Sequence, residues 1–487
     1  MAFDRVKLSL AAPSKFARRE RESVLHPYRS EFQRDRDRVL YSKAFRRLSG
    51  KTQIFLPLSH DHVRNRLTHT LEVAQIAKVA AVNLLLDSDL AEAIALGHDL
   101  GHTPFGHVGE RTLNLIMNNC DQLHPLLNTM KHNHKGFKHN LHGLRVTCHL
   151  EKTYRNHPGM NLTNFTLWGI KAHSKMEWKK NDPKTGDVLP CQFYNDGLCY
   201  FHLEPQQCSD PALSVGFYEQ YRKYTKLDLE DREAWSFEGL LIAITDEIAQ
   251  RHHDVEDAVF MNIVSMDELK QVIEDYFRIH FDDEDKRNFA NLKREKNAAY
   301  FLPLASRFLV NMLNKNLIIG SGQNINRLIR RFGLRSSRDF EMAYMEIPFE
   351  EAKKSIGFLS DFQIAHDEFK EFLKNRVLNS FEVQRMDGKG TYIIRKLVKA
   401  YLTNPKQLSD ATLVYIDNIF KGRTSGRKTI IDLTESEIGK LREEIDHLSK
   451  RSNPKFQITL LRGICDHIAG MTDNYATGEF RRLYAQE

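Results

Sequence analysis

The stretch from Thr68 to Glu110 constrains this chain most: THTLEVAQIAKVAAVNLLLDSDLAEAIALGHDLGHTPFGHVGE. From Thr68 to Leu86, the apolar residues Leu71, Ala74, Ile76, Ala77, Ala80, Ala81, Leu84 and Leu85 recur at helical spacing and predict a helix that carries His69 near its start. Asp89 is expected to cap a second, Ala/Leu-rich helix ending in His98-Asp99. His102, His107 and Glu110 follow at once in a loop broken by Gly and Pro. Imidazoles and carboxylates at this density are hard to explain as packing. They are the nitrogen and oxygen ligands that a borderline or hard divalent metal takes. His98 and Asp99 are adjacent, so both reach one ion only where the helix is ending, as Gly101 and Pro104 predict.

A further carboxylate lies far downstream. A regular helix is predicted over SFEGLLIAITDEIAQRHHDVEDAVF, in which Asp246, Gln250, Asp254 and Asp257 follow one face at i, i+4, i+8 and i+11. Asp246 ends an apolar run, and a carboxylate there is costly unless paired, hydrogen-bonded or metal-bound. His69, His98, Asp99 and Asp246 together would form a site of two imidazoles and two carboxylates with positions open to water and a phosphate oxygen. Any one of these residues taken alone reads as a satisfied core or surface side chain; the conjunction carries the inference.

The rest of the chain sets the frame. With 487 residues, 41% of them hydrophobic, there is material for a sizeable core. Mean hydropathy is −0.50, and no apolar run approaches the roughly 20 residues of a membrane span. The start, MAFDRVKLSLAAPSKF, lacks a continuous apolar segment, so a cytoplasmic protein is expected. None of the six cysteines forms a CxxC pair, which fits a reduced compartment. Cys191, Cys199 and Cys208, with His202 among them, have an unusual spacing for zinc, and a plain loop insertion is the simpler reading. Net charge is +7, with Lys and Arg concentrated in RRERES, FQRDRDR and FRRLSGK. Such clusters attract polyanions, although Asp and Glu interleave with the Arg.

Residues 1–30 read as an irregular N-terminal arm. Glu31–Ser49 reads as one amphipathic helix with Gly50 as its C-cap, and HNLHGLRVTCHLEKTY as another helix. Residues 176–230 read as an insertion with a hairpin near Asn195-Asp196-Gly197. Beyond 265 the pattern is mostly helical, with β-compatible pieces such as TYIIRKLV.

The H…HD…D pattern of His69, His98-Asp99 and Asp246 resembles the HD-domain superfamily. GHDLGHTPFGHVGE (97–110), FRRLSGKTQIF (45–55), RNRLTHTLEVAQIA (64–77), GFKHNLHGLRV (136–146), LTNFTLWGIKAH (162–173) and ICDHIAGMTDNYA (464–476) resemble blocks of its deoxyguanosinetriphosphate triphosphohydrolase (dGTPase)-like branch. The resemblance implies an all-α HD fold with extra helices and a small irregular or β-hairpin insertion. It implies an HD core over 31–265, interrupted at about 176–230, with a mostly helical region 266–487 packed on it. The implied activity is metal-dependent hydrolysis of a deoxynucleoside triphosphate to deoxynucleoside and inorganic triphosphate, with one divalent ion, Mn²⁺ or Mg²⁺.

Residue by residue, the resemblance makes His69, His98, Asp99 and Asp246 metal ligands and His107 and Glu110 the catalytic pair. His102 and His139 line the phosphates, and Arg66 contacts them. Gln53 and Asp254 meet the sugar 3′-hydroxyl, and Ile54 lies under the sugar. Gln250 stands where relatives often carry a Tyr against the sugar, and His142 where they often carry Gln. A homo-oligomer, often a hexamer, is implied, as are responses to an activating nucleotide or to single-stranded DNA. Attack at the α-phosphorus would have His107 protonate the departing 5′-oxygen with Glu110 orienting it. The competing readings are another HD-type nucleotidase or phosphodiesterase, and a nucleic-acid-binding regulatory protein on the same fold.

Overall fold

The computed structural model describes residues 5–53, 64–121, 123–129, 136–154, 157–174, 225–231, 233–423 and 428–484, with the backbone of four two-residue strands between 180 and 199. The helices that build the site are α1 (Glu31–Leu40), α2 (Lys43–Arg47), α3 (Arg66–Asn83), α4 (Ser88–Gly97), α5 (Gly106–Met117), α6 (His139–Arg145), α7 (Asn164–Ala172) and α8 (Phe237–Phe260). Four more close around them: α9 (Ala298–Arg331), α10 (Phe381–Thr403), α11 (Pro454–Ala469) and α12 (Asp473–Tyr484). The strands pair antiparallel as two small ladders, Lys180–Asn181 with Val188–Leu189 and Tyr194–Asn195 with Leu198–Cys199. The fold is therefore all-α, as expected, and the second ladder is the hairpin expected at Asn195-Asp196-Gly197. The side chains of Cys191, Cys199, His202 and Cys208 lie outside the described residues, as does Ile54.

At the centre α3 lies against α4 and α8, α1 covers α4, and α7 bridges α4 and α8. α3 starts where Asn65 accepts a hydrogen bond from the Thr68 N–H. It buries His69, Val73, Ala74, Ile76, Ala77, Ala80 and Ala81 on one side. Alanines at the seam let α4 approach closely, and every residue from Leu90 to Gly97 except Glu92 is buried. The larger hydrophobic cluster runs from Val6 to Val383 and contains Trp168, Trp235 and Phe165. A smaller one joins α5 to α10, α11 and the chain's last helix through Phe105, Leu113, Ile394, Leu397, Leu460, Ile464 and Ala476. Each such Leu, Ile or Phe side chain, once fully buried, contributes about 1.5–3 kcal/mol before entropy is counted.

Four local expectations need correction. Residues 31–50 form two helices and a 3-10 turn, because Ser42 turns the chain and accepts from the Phe45 N–H, at 3.0 Å; Gly50 lies inside that turn, Leu48–Gly50, and Lys51 caps it. The cap of α4 is Asp87, whose carboxylate takes the N–H groups of Asp89 and Leu90, both at 2.9 Å; Asp89 itself stands in the first turn. The helix predicted over 139–154 stops at Arg145 and gives way to a π-helical turn, Val146–Leu150. There the Glu151 carboxylate is recruited to the first amides of α2, at 2.9 Å from Lys43 and 3.1 Å from Ala44. TYIIRKLV is helical, inside α10; its branched residues Ile393, Ile394, Leu397 and Val398 fall at helical spacing and are all buried, so packing overrides strand propensity.

Candidate active site

The polypeptide reaches the site through a close approach that only glycine permits. A Cβ on Gly101 would lie 1.9 Å from the carbonyl oxygen of His139 and 2.2 Å from the Gly143 nitrogen, so the turn after α4 sits directly on α6. α4 ends at Gly97, leaving His98 and Asp99 free of a common helical face. Phe105 and Gly106 then take left-handed backbone conformations, with φ of 60° and 59°, and α5 starts at Gly106, so His107 and Glu110 stand on a helix and not in the loop expected of them.

The donor atoms of His69, His98 and Asp99 lie within 4.8 Å of one another. Asp246 of α8 joins them: its Oδ1 is 2.9 Å from His69 Nε2 and 3.7 Å from His98 Nε2. His69, His98 and Asp99 are almost inaccessible, whereas the Asp246 side chain is 28% exposed, so the set opens toward solvent on that side. His98 Nδ1–H donates to the Ala95 carbonyl at 2.6 Å, which turns Nε2 inward, and Nε2 has no hydrogen-bond partner among the described residues. Burial disfavours the His98 imidazolium, yet Asp99 and Asp246 push its pKa up to about 9. Asp99 is likewise held well below the usual carboxylate range, against its burial, by His98, Arg66 and His102. Two carboxylates that draw a proton onto a buried imidazole demand a cation, and this donor set fits a divalent one.

A second layer fixes His69. Its Nδ1 lies 3.3 Å from His253 Nδ1, and His253 Nε2 hydrogen-bonds to the Glu72 carboxylate. His253 donates to Glu72, so its Nδ1 must accept; His69 Nδ1 then carries the proton. That leaves a lone pair on His69 Nε2 facing the Asp246 oxygen, two acceptors that need a proton or a metal ion between them. Burial disfavours the Glu72 carboxylate, but hydrogen bonds from His252 and His253 hold it well below the usual range.

Beside this set lies an acid–base cluster. His102 Nε2 is 3.1 Å from Asp99 Oδ1, and its ring stacks on His139, with centroids 4.0 Å apart. Glu110 is buried, accepts from the His139 N–H at 3.1 Å, and stands 3.0 Å from His139 Nδ1 and 3.3 Å from His107 Nδ1. Burial raises the Glu110 carboxyl, but His139 and His107 win and hold it well below the usual range. His107 shares the first turn of α5 with Glu110, and its side chain is 58% exposed, facing outward from an otherwise closed cluster. Arg66 is buried and gives Nη1–H to Asp99 at 2.7 Å, while its Nε and Nη2 have no partner among the described residues. Unpaired guanidinium donors beside a cation-demanding set are suited to anionic oxygens.

The remaining expected residues sit further out. Gln53 is half-buried, its side-chain oxygen has no hydrogen-bond partner among the described residues, and its backbone carbonyl lies beside Gly106. Gln250 and Asp254 lie one and two turns along α8 from Asp246 and are engaged by Arg251, at 3.5 Å and 2.8 Å, rather than by the His-Asp set. Burial pushes the Asp254 carboxyl up to about 6 despite Arg251. His142 turns away, with Nδ1 2.9 Å from the Gly101 carbonyl oxygen. Sequence reading missed His173, which is buried with Nε2 3.1 Å from His139 Nε2; burial first, then His139, lowers its pKa to about 3. It also missed Glu72 and His253. The spacing of Glu72, three residues after His69, was the one available signal.

The HD domain family profile matches residues 66–232, and the phosphohydrolase-associated domain profile matches 356–434 and 421–482. A Rhizobium johnstonii protein named deoxyguanosinetriphosphate triphosphohydrolase-like protein is 32% identical over 467 residues, 94% of this chain and 90% of its own. Proteins of the same name from Rickettsia bellii and Bordetella pertussis are each 31% identical, over 94% and 97% of this chain and 92% and 94% of their own. Among the described residues no helix is long and apolar enough to cross a membrane. With relatives this similar along nearly its whole length, and a His-Asp cluster suited to the metal on which HD hydrolases depend, the chain belongs to the HD-domain phosphohydrolases, in their deoxyguanosinetriphosphate triphosphohydrolase-like group.

Proposed function

We propose that this chain hydrolyses deoxynucleoside triphosphates at the α-phosphorus, releasing deoxynucleoside and inorganic triphosphate. The observation that supports it most is the adjacency of two unlike clusters: a cation-demanding set, His69, His98, Asp99 and Asp246, beside an exposed imidazole backed by a buried carboxylate, His107 on Glu110. A Mn²⁺ or Mg²⁺ ion held by the first set would supply Lewis-acid neutralisation of phosphoryl charge. Arg66, His102 and His139 would neutralise the polyphosphate, because phosphoryl transfer is mainly positioning and electrostatics. His107, turned outward, would give its proton to the departing 5′-oxygen, and Glu110 would fix the ring through Nδ1 so that Nε2 faces the substrate. Gln53 and Asp254 would meet the sugar hydroxyl with oxygens that have no partner among the described residues, with Ile54 under the ring and Gln250 beside it.

An activating polyanion, nucleotide or single-stranded DNA, would find a second surface away from this site. A cavity of about 480 Å³ is lined by Arg29, Arg34, Arg38, Lys43, Arg46 and Lys152, with the carboxylates of Asp37 and Glu151 among them. Binding there would weaken steeply with salt. The chain would act as a cytoplasmic homo-oligomer.

The test is product identity. Purified protein is incubated with Mn²⁺ or Mg²⁺ and each dNTP, singly and mixed, and with GTP. Triphosphate plus deoxynucleoside is the expected outcome. Monophosphate or orthophosphate would instead favour a nucleotidase or phosphodiesterase.

A further inference from the structure

The loop that carries the acid–base cluster and the segment that carries Gln53 are held by one carboxylate from the far end of the chain. Asp473, the first residue of α12, is 2% exposed. Its Oδ1 accepts from the Phe105 N–H at 2.9 Å, and its Oδ2 accepts from the Thr52 N–H at 2.8 Å and from the Thr52 hydroxyl. All three donors are buried, so each would be left unsatisfied without it. The neighbouring contacts repeat the arrangement. Lys51 Nζ donates to the His102 carbonyl and, at 2.9 Å, to the Ala469 carbonyl. A Cβ on Gly50 would lie 2.8 Å from Thr472 Cγ2, so the turn between α11 and α12 is pressed against residues 50–52. On its other side the same segment is tied to the start of α3, where the Arg66 N–H donates to the Lys51 carbonyl at 3.0 Å.

What Asp473 grips is unusual backbone. Phe105 has φ of 60°, a left-handed conformation that is costly for a non-glycine residue and persists only when its surroundings impose it. This turn launches α5, and His107 is two residues on. Gln53 is the residue after Thr52. We propose that Asp473 is a positioning residue: through Phe105 it sets where His107 stands, and through Thr52 it sets where Gln53 stands, so the two halves of the substrate site keep one register. The inference rests on the triphosphohydrolase reading for the roles of His107 and Gln53, but not for the clamp itself.

The experiment uses the full-length chain, with Asp473→Asn and Thr52→Val compared with wild type. Three quantities are read: kcat and KM for the dNTP turned over fastest, Mn²⁺ affinity, and amide hydrogen exchange at Phe105 and Thr52. Asparagine keeps the size but supplies a single acceptor oxygen, so one grip is lost. A displaced catalytic group of this kind costs about 10- to 100-fold in kcat. That loss is expected in Asp473→Asn, with faster exchange at Phe105 or Thr52 and Mn²⁺ affinity kept within about twofold. Thr52→Val removes only the hydroxyl and should raise KM more than it lowers kcat. Wild-type kcat, KM and exchange in Asp473→Asn would overturn the proposal. So would a kcat loss matched by an equal loss of Mn²⁺ affinity, which marks a merely structural role. If the wild type releases no triphosphate from any dNTP, the triphosphohydrolase reading falls by itself. Exchange then decides the clamp alone: faster in Asp473→Asn supports it and unchanged overturns it.

Discussion

Replacing Glu238 with Gln should make the protein's stability less sensitive to a rise in pH through neutrality. Glu238 lies in the first turn of α8 and is fully buried. One oxygen accepts from the Ala12 N–H at 3.1 Å and the Asp87 N–H at 2.8 Å, pinning the N-terminal arm and the α4 cap; the other has no partner among the described residues. Burial first, then the Asp87 carboxylate, pushes its pKa from 4.5 up to about 7. The sign follows from linkage. Between those two values the folded state holds a proton that the unfolded state has released, so stability falls as pH rises through the interval. With 1.36 kcal/mol per unit, the loss from about pH 5 to about pH 8 is roughly 2–3 kcal/mol. Gln keeps the acceptor oxygen and cannot ionise, so that slope should vanish. Urea unfolding of both proteins at several pH values measures it. If the Gln variant and the wild type lose stability in parallel across that range, Glu238 is not the buried acid that this environment makes it.

Other expectations concern the site. His107→Ala should retain Mn²⁺ binding and lose about 10²- to 10⁴-fold in turnover, the ordinary range for a lost general acid; titration calorimetry beside kinetics separates the two, and an equal loss of metal would defeat the assignment. Asp246→Ala should lose bound metal by elemental analysis, because the loss leaves His69 and His98 without the carboxylate that faces both; full occupancy would remove Asp246 from the ligand set. His253→Ala should weaken Mn²⁺ affinity about 10- to 100-fold while leaving the bulk fold intact by circular dichroism, since it breaks the relay to Glu72; unchanged affinity would mean that His69 needs no such support. Gln250→Tyr should lower GTP turnover relative to dGTP; an unchanged ratio would show that position 250 does not face the sugar.

Much of the site was legible because its chemistry is local. His98-Asp99 at the end of an apolar helix and His107 three residues before Glu110 are patterns that spacing alone exposes. Asp246 was legible because a carboxylate after an apolar run is expensive. What stayed hidden depends on partners distant in sequence, from 34 positions for His173 to 421 for Asp473. His253 is an ordinary histidine beside another until α3 brings Glu72 and His69 against it. Lys51 and Asp473 look like surface charges in sequence, yet both are buried, because each has backbone groups from another segment to satisfy. The misread elements have the same origin. TYIIRKLV has strand propensity and helical burial, and the helix expected through 154 ends where Glu151 is needed elsewhere.

The bond between Thr52 and Asp473 also sets a schedule. The two residues are 421 positions apart in a chain made from one end. At roughly 5–20 residues per second, about 20 to 80 s separate the synthesis of the first from that of the second. Once Asp246 has been made, the nascent chain contains every residue of the His-Asp set, yet until Asp473 follows it cannot lock the turn before His107. A half-made polypeptide would thus hold its chemistry unassembled, and the step that arms the site would come with the arrival of the last helix.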